Sequence, residues 1–450
     1  MKDKNICLVS LGCSKNLIDS EVMASILIRS GFGITPYAEL ADIIIINTCT
    51  FILPAKEESI DEIFQMAEWK KNGRCRYLVV TGCLPQRYGA VLEKEMPEVD
   101  LFLGTSEIPK IADFIRNLEA EESVNGKSFI GEPSFLMDST CSRLLSTPGC
   151  SAYLKIAEGC SNCCSYCVIP SVRGKFRSRD VDDILKEAEM LAEGGVKEIN
   201  ITAQDTTSYG RDLKGKPTLS TLLKDMTSIN GIRWIRLLYT YPAYLTGEIL
   251  QTIAEEEKTC NYIDVPLQHI DDDILRAMNR KGSSTLIRNT ITRAREVIPG
   301  VSLRTSLIVG FPGETPGKFE KLLDFVKEAR LENLGAFEYS REEGTAADNF
   351  LSHVPEKEKE RRRNILMEEQ SKISSEINQS RIGNLQEVLI EGESDRQDFP
   401  LVGRIRGQAP EIDGITYVKS DDAAIGDIIT CRITSADIYD LFAEEIDNEG

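Results

Sequence analysis

The sequence predicts an α/β protein in three parts: a doubly wound parallel sheet at the amino end, a partial barrel of six βα units, and a small all-β barrel at the carboxyl end. Three observations carry this. Short β-branched runs alternate with amphipathic stretches from residue 5 to residue 117, the βαβα order of a parallel sheet. A second alternating series starts at Ser151 with six such units, two fewer than close a full barrel, so it stays open at one side. From Gly383 the pattern changes to short β-rich pieces separated by Gly, Asp and Pro. The expected boundaries are 1–120, a linker at 121–145 rich in Glu, Ser, Gly and Pro, 146–380, and 381–450.

In order, 5–11 reads as a strand, 19–30 as a helix, 42–46 as a buried β-branched strand and 54–71 as a helix with Pro at its start. A strand at 76–81, a helix after Pro85, a short strand at 100–103 and a helix at 106–117 continue the series. The second series has strands at 152–157, 198–203, 233–239, 262–267, 302–309 and 335–339, with helices such as 181–192 and 285–297 between them. A heavily charged helix runs from Pro355 to about residue 379, and its charges read as a solvated face. The last part shows β pieces at 387–390, 415–418 and 428–433.

With 450 residues, 41% hydrophobic and 28% charged, the composition excludes collagen-like, low-complexity and disordered classes. The 53 basic and 72 acidic residues leave a net charge of −19, which disfavours a general grip on nucleic acid or anionic lipid and suits a basic partner. No direct RNA readout is expected. The apolar run 6–11 is too short for an export signal, and Asp3 stands where such signals are basic. No apolar run nears the ~18 residues of a membrane span, so no membrane association and a cytoplasmic location are expected. Thirteen cysteines in a reducing compartment are then expected as ligands or catalysts rather than disulfides.

The densest pattern is Cys160-x3-Cys164-x2-Cys167, on a loop directly after a predicted strand. Three thiolates so close can wrap one metal centre. A saturated four-iron four-sulfur cluster takes four cysteines, so three leave one iron open. A structural zinc site is the rival, with only His269 and His353 as nitrogen ligands. A second set is dispersed: Cys13, Cys49 and Cys83 each follow the strand of a successive βα unit. The carboxyl ends of neighbouring parallel strands line one crevice, and a nearby helix start favours thiolate and a negative cluster. Small buried hydrophobes are the alternative reading of these three. Cys7, Cys75, Cys141, Cys150, Cys260 and Cys431 share no such placement and read as packing residues.

The stretches LGCSKNLIDSE (11–21), NTCTFI (47–52), TGCLPQRY (81–88), KIAEGCSNCCSYCVIPSVRGKFRSR (155–179), VPLQH (265–269), IVGFPGET (308–315) and APEIDG (409–414) resemble the radical S-adenosylmethionine (SAM) methylthiotransferases. Within these they resemble the RimO family, which modifies an aspartate of ribosomal protein S-twelve. The match spans essentially the whole chain. It implies a methylthiotransferase amino-terminal domain, a radical SAM barrel, a TRAM domain and two four-iron four-sulfur clusters. Cys13, Cys49 and Cys83 would hold the sulfur-handling cluster, and Cys160, Cys164 and Cys167 the one that cleaves SAM. Tyr166, just before the third loop cysteine, fits the same pattern, whereas taking Cys163 as a ligand would reverse the family's spacing. Gly403-Arg404-Ile405-Arg406 departs from the serine-containing form expected in the TRAM domain.

In radical SAM proteins a segment like that at Val309 and Gly310 lies against the adenine; a plain βα turn using glycine at φ > 0 is the other reading. Gln204 and Asp205, and Gln268 and His269, end barrel strands at the active-site rim. They would hold SAM or substrate, or merely cap the strands.

The implied reaction adds a methylthio group to the β-carbon of an aspartate, with SAM as methyl donor and radical source. A C–H beside a carboxylate is too weakly acidic to ionise at pH 7, so a radical is required. The implied partners are the basic ribosomal protein S-twelve, free or on the small subunit, an electron donor and a sulfur source. Residues 381–450 carry 6 basic and 16 acidic residues, a net of −10. Such a module repels RNA and attracts a basic protein; the alternative substrate, an adenosine of transfer RNA, would need a TRAM domain that tolerates phosphate. Holding none of the six ligand cysteines, the module is expected to serve recognition alone, so that a chain ending near Ser380 keeps SAM cleavage.

Overall fold

The four isoleucines 43–46 are at most 1% exposed, as in a strand covered on both faces of a parallel sheet. They belong to β3 (Ile43–Thr48) in a computed structural model that describes residues 4–120 and 127–446. Around it lie β1 (Asn5–Ser10), α1 (Ser14–Arg29), β2 (Gly33–Ile34), α2 (Leu53–Asn72), β4 (Tyr77–Gly82), α3 (Cys83–Glu95), β5 (Leu101–Leu103), α4 (Ile111–Glu119) and β6 (Ser128–Phe129). The sheet is parallel, in the order β2-β1-β3-β4-β5-β6, with Ile6 opposite Ile43 and Ile43 opposite Tyr77. Strand order reverses between β1 and β3, which makes that gap the switch point where such sheets bind ligands. Two helices start earlier than predicted, α1 at Ser14 instead of residue 19 and α3 at Cys83 instead of after Pro85. The predicted linker contributes edge strand β6, while its residues 121–126 lie outside the described residues.

The chain divides into two compact units. Met1–Ser146, Ala157–Arg179 and Ser340–Asp348 form the first; Thr147–Ile156, Asp180–Tyr339 and Asn349–Gly450 form the second. The strand predicted at 152–157 is therefore two strands. β7 (Ser151–Lys155) belongs to the second unit, whereas β8 (Ala157–Glu158) pairs antiparallel with β9 (Arg177–Ser178) in the first. Between β8 and β9 lie the cysteine loop and α5 (Ile169–Arg173).

In the second unit β7 edges a parallel six-stranded sheet of order β14-β13-β12-β11-β10-β7. Its strands are β10 (Glu198–Thr202), β11 (Trp234–Leu237), β12 (Thr259–Asp264), β13 (Ser302–Val309) and β14 (Asn333–Glu338). They alternate with α6 (Val181–Glu193), α7 (Leu219–Thr227), α8 (Gly247–Glu255), α9 (Asp272–Ala277), α10 (Ser284–Val297) and α11 (Pro316–Ala329). Thr218, Thr246, Asp271, Ser283 and Thr315 cap α7 to α11, each side chain accepting from an amide of the first turn. The charged helix is α12 (Glu356–Ser380), and it is more than a solvated face. Lys359 and Arg362 are each 3% exposed: Lys359 Nζ donates to the Tyr339 carbonyl at 2.9 Å, and Arg362 lies 3.1 Å from the Glu314 carboxylate.

The same unit ends in a closed barrel, β15-β16-β17-β19-β18, made of β15 (Leu385–Glu393), β16 (Leu401–Ile405), β17 (Thr416–Lys419), β18 (Ile428–Ala436) and β19 (Leu441–Glu445). Val388, Ile390, Val418, Ile433 and Leu441 fill it. Arg404, Arg406 and Asp413 dock it onto the amino ends of the parallel strands. Arg404 pairs with Glu198, the first residue of β10, and Arg236 holds the same carboxylate at 2.8 Å. Arg406 donates to the Thr259 carbonyl at 2.9 Å, and Asp413 accepts from Tyr262 Oη at 2.7 Å and from Arg304 at 2.9 Å. The arginines that looked like a local departure are thus the docking residues. Among the described residues no helix is long and apolar enough to cross a membrane.

Candidate metal centre

Cys13, Cys49 and Cys83 stand just beyond the carboxyl ends of β1, β3 and β4, three adjacent strands flanking the switch point. Cys13 is the N-cap of α1 and Cys83 opens α3. The turns that deliver them need glycine. Gly12 has φ +92°, and a Cβ there would lie 2.8 Å from Cys49 Cβ and 3.1 Å from its Sγ. Gly82 has φ +98°, and a Cβ there would lie 2.3 Å from Asn47 Oδ1. Ser59 Oγ accepts from the Cys49 amide and donates to its carbonyl, both at 3.1 Å, and so fixes the third loop.

The three sulfurs share one electrostatic environment. Burial raises the Cys49 thiol, and the neighbouring Cys13 and Cys83 sulfurs raise it further, to about 12. Burial also raises Cys83, against the pull of Arg173. Cys13, the exposed member, is partly desolvated, yet the charges of Lys15 and Arg173 and the amides of Asn16 and Lys15 bring its thiol below the usual range. Even beside Arg173, the Cys13 and Cys83 sulfurs oppose ionisation of Cys49; a positively charged metal core would relieve that. Helix-start amides and a buried arginine suit the negative charge of a thiolate-bound cluster, so the donor set fits an iron–sulfur group. Among the described residues no three His, Cys, Asp or Glu side chains close around a single ion, so the fit rests on donor chemistry and charge.

Buried asparagines brace the loops. Asn16 Nδ2 donates to the carbonyls of Leu11 at 2.8 Å and Thr48 at 2.9 Å, just before Cys13 and Cys49, and Asn47 Nδ2 donates to the Asn16 carbonyl at 2.9 Å. Arg173, 4% exposed, directs Nε to Cys83 Sγ at 3.4 Å and Nη1 to Asp19 at 2.5 Å, and its Nη2 donates to Asn16 Oδ1. Asn16, Asn47, Ser59 and Arg173 have no assigned role in the sequence reading. Asn16, Asn47 and Arg173 lie inside motifs quoted there, which is the one signal that marks them.

The β8–β9 pair closes the neck of the Cys160–Cys167 loop. Gly159 there has φ +82°, with the Lys175 carbonyl 2.3 Å from where a Cβ would be. The Cys160 amide donates to the Gly174 carbonyl and the Cys167 amide to the Cys164 carbonyl, each at 3.1 Å. Cys160, Cys164 and Cys167 are half-buried, whereas Cys163 is exposed at φ +51°. Tyr166 lies on this loop in the first unit. Gln204, Gln268, Val309 and Gly310 gather in the second unit, at the carboxyl edge of its parallel sheet. Gln268, at φ +73°, is tied to β13 by main-chain bonds to Ser306 and Ile308. Gly310, also at φ +73°, lies where a Cβ would come within 2.3 Å of Lys359 Cγ, and its amide donates to Glu314.

A model of the Radical SAM superfamily matches residues 154–326, one of the uncharacterized protein family UPF0004 matches 5–104, and a TRAM domain model matches 382–446. Fold and cysteine pattern therefore define a radical SAM protein. Over 449 residues the chain is 60% identical to the ribosomal protein uS12 methylthiotransferase RimO of Syntrophus aciditrophicus, covering 99% of both chains. To the protein of that name in Geobacter sulfurreducens it is 50% identical over 443 residues, covering 98% of this chain and 99% of the relative. The chain belongs to the RimO family. Its fold is similar to that of the radical S-adenosylmethionine methyltransferase TsrM of Kitasatospora setae, with a TM-score of 0.57 at 14% identity over 86% of this chain and 78% of that one.

Proposed function

We propose that the chain is a radical SAM methylthiotransferase acting on ribosomal protein uS12, at the β-carbon of an aspartate. The observation that carries this reading is that one compact unit holds both three-cysteine sets, with the strand-end trio braced around a switch point. Two three-thiol sets suit two four-iron four-sulfur clusters, each with one iron left for another ligand. Bound together with SAM, these clusters supply the one-electron chemistry and the methyl group that modification of an unactivated carbon demands. The protein supplies position: Cys160, Cys164 and Cys167 hold the SAM-side cluster, and Cys13, Cys49 and Cys83 the sulfur-side one. Tyr166 belongs with the cluster loop of the first unit, and Gln204, Gln268, Val309 and Gly310, at the carboxyl edge of the second unit's sheet, are the residues assigned to contact SAM. The net charge of −10 in residues 381–450 favours a basic protein over an RNA. An electron donor and a sulfur source complete the system, in the cytoplasm where ribosomes are.

The test is anaerobic reconstitution with iron, sulfide, SAM and a reductant, followed by mass spectrometry of uS12 and of transfer RNA. A methylthio mass increment on the uS12 aspartate is expected. An adduct on RNA alone would replace this reading with the transfer-RNA one.

A further inference from the structure

We propose that Arg173 is a positioning residue that raises the reduction potential of the cluster held by Cys13, Cys49 and Cys83 and ties it to the loop of the second cluster. This rests on the reading of that trio as cluster ligands. Nothing in the proposed chemistry assigns Arg173 a task, yet it is 4% exposed and all three of its guanidinium nitrogens are engaged. Nη1 meets Asp19 at 2.5 Å and Glu158 at 3.5 Å, and Nη2 donates to Asn16, contacts that would suffice for a structural arginine. Nε instead points at sulfur, 3.4 Å from Cys83 Sγ.

An arginine stays protonated at any working pH. Reducing a thiolate-bound cluster adds one electron and no proton, so the reduced state is more negative. A buried cation and an N–H to sulfur favour that state and raise the potential. The backbone places the same residue on the other loop: the carbonyl of Val172 accepts from Thr105 Oγ1 at 3.0 Å, and the carbonyl of Gly174 accepts from the Cys160 amide at 3.1 Å. One residue thus separates a ligand sulfur of the first set from a hydrogen bond to a ligand backbone of the second. Asp19 opposes it, a buried carboxylate drawing on the same guanidinium.

The experiment uses the full chain carrying Cys160→Ala, Cys164→Ala and Cys167→Ala, reconstituted anaerobically so that only the amino-terminal cluster is loaded. Iron content is measured, and the one-electron midpoint potential is read by mediated dithionite titration with electron paramagnetic resonance. Adding Arg173→Gln is expected to make reduction about tenfold less favourable, a shift of about 59 mV downward for one electron. Arg173→Lys keeps the charge but not the fork and should shift it less. Asp19→Asn frees the cation and should shift it upward. Loss of packing alone would not reverse sign between Arg173→Gln and Asp19→Asn. Equal potentials, or shifts of one sign, with iron retained would overturn the proposal for Arg173 alone. If Arg173→Gln loads no iron, Arg173→Lys and Asp19→Asn still decide by their opposite signs. Absence of iron from the parent would overturn the ligand reading and this proposal with it.

Discussion

Gly12 occupies a left-handed turn directly against Cys49, so the residue before Cys13 sets the room for Cys49. Gly12→Ala adds a Cβ 2.8 Å from Cys49 Cβ at a φ that alanine rarely adopts, a strain of roughly 1–3 kcal/mol placed on the two loops. The expected outcome is loss of about half the iron, with 5′-deoxyadenosine formation continuing at the loop set and methylthiolation gone. Cys13→Ala, Cys49→Ala and Cys83→Ala should behave alike. Cys164→Ala should abolish SAM cleavage, while Cys163→Ala should keep its iron. Iron quantitation beside a SAM-cleavage assay separates these classes, and full iron in Gly12→Ala would show that the turn does not govern the site. The strand-end placement of Cys13, Cys49 and Cys83 and the loop placement of Cys160, Cys164 and Cys167 are legible because alternation fixes where the strands end. The braces are not: Asn47 reaches Asn16 across 31 residues and Arg173 reaches it across 157, and no local pattern announces a contact made only in the fold.

At the scale of elements, the parallel direction of the strands follows from alternation, and apart from the split at residue 156 the two parallel sheets contain the strands the sequence suggests. Local patterning misses the two-residue edge strands β2 and β6, which are too short to show a period, and two longer features. α1 starts at Ser14 with Cys13 at its N-cap making no side-chain hydrogen bond, and Ser14, Lys15, Asn16, Asp19, Ser20 and Glu21 are all buried, so neither a capping residue nor an apolar stripe marks its first turns. β16 carries buried Arg404 among its apolar residues, which hides its alternation. That arginine meets Glu198 at the amino end of β10. Burial alone would raise the Glu198 carboxyl, but Arg404 and Arg236 hold it down, from its ordinary 4.5 to about 2. A carboxylate depressed in the folded state contributes stability above its unfolded value and loses it as pH falls through the folded one. Barrel docking should therefore weaken between about pH 4.5 and 2, by on the order of 3 kcal/mol. Emission from Trp234, buried beside Arg406, would follow this in metal-free Trp69→Phe protein. Glu198→Gln should remove the transition and cost about 3–5 kcal/mol at neutral pH by leaving two buried guanidiniums underpaired. An unchanged acid profile in Glu198→Gln would assign the transition elsewhere.

For the molecule as a whole, the acidic carboxyl-terminal barrel was legible from charge, but its attachment was not. The sequence suggests an appendage that can be removed at Ser380. The fold instead uses its arginines to neutralise Glu198 and its Asp413 to hold Tyr262 and Arg304, so truncation strips buried partners from the parallel strands of the same unit. Loss of SAM cleavage on truncation would then report damage to the sheet and say nothing of recognition. Surface neutralisation isolates the charge. Asp395, Asp398, Asp421 and Asp422 are exposed on the barrel and take no part in docking. Converting all four to Asn should leave SAM cleavage and thermal stability unchanged and weaken binding of isolated uS12 at low salt, because exposed charges speed encounter and orient the partner. The difference from the unmodified chain should fade as salt rises, since the Debye length falls from about 10 Å at 0.1 M to about 3 Å at 1 M. Affinity for uS12 across a salt series, measured for both proteins, decides the matter. Curves that coincide at every salt concentration would remove the acidic face from substrate recognition and leave docking onto the strands as the barrel's contribution.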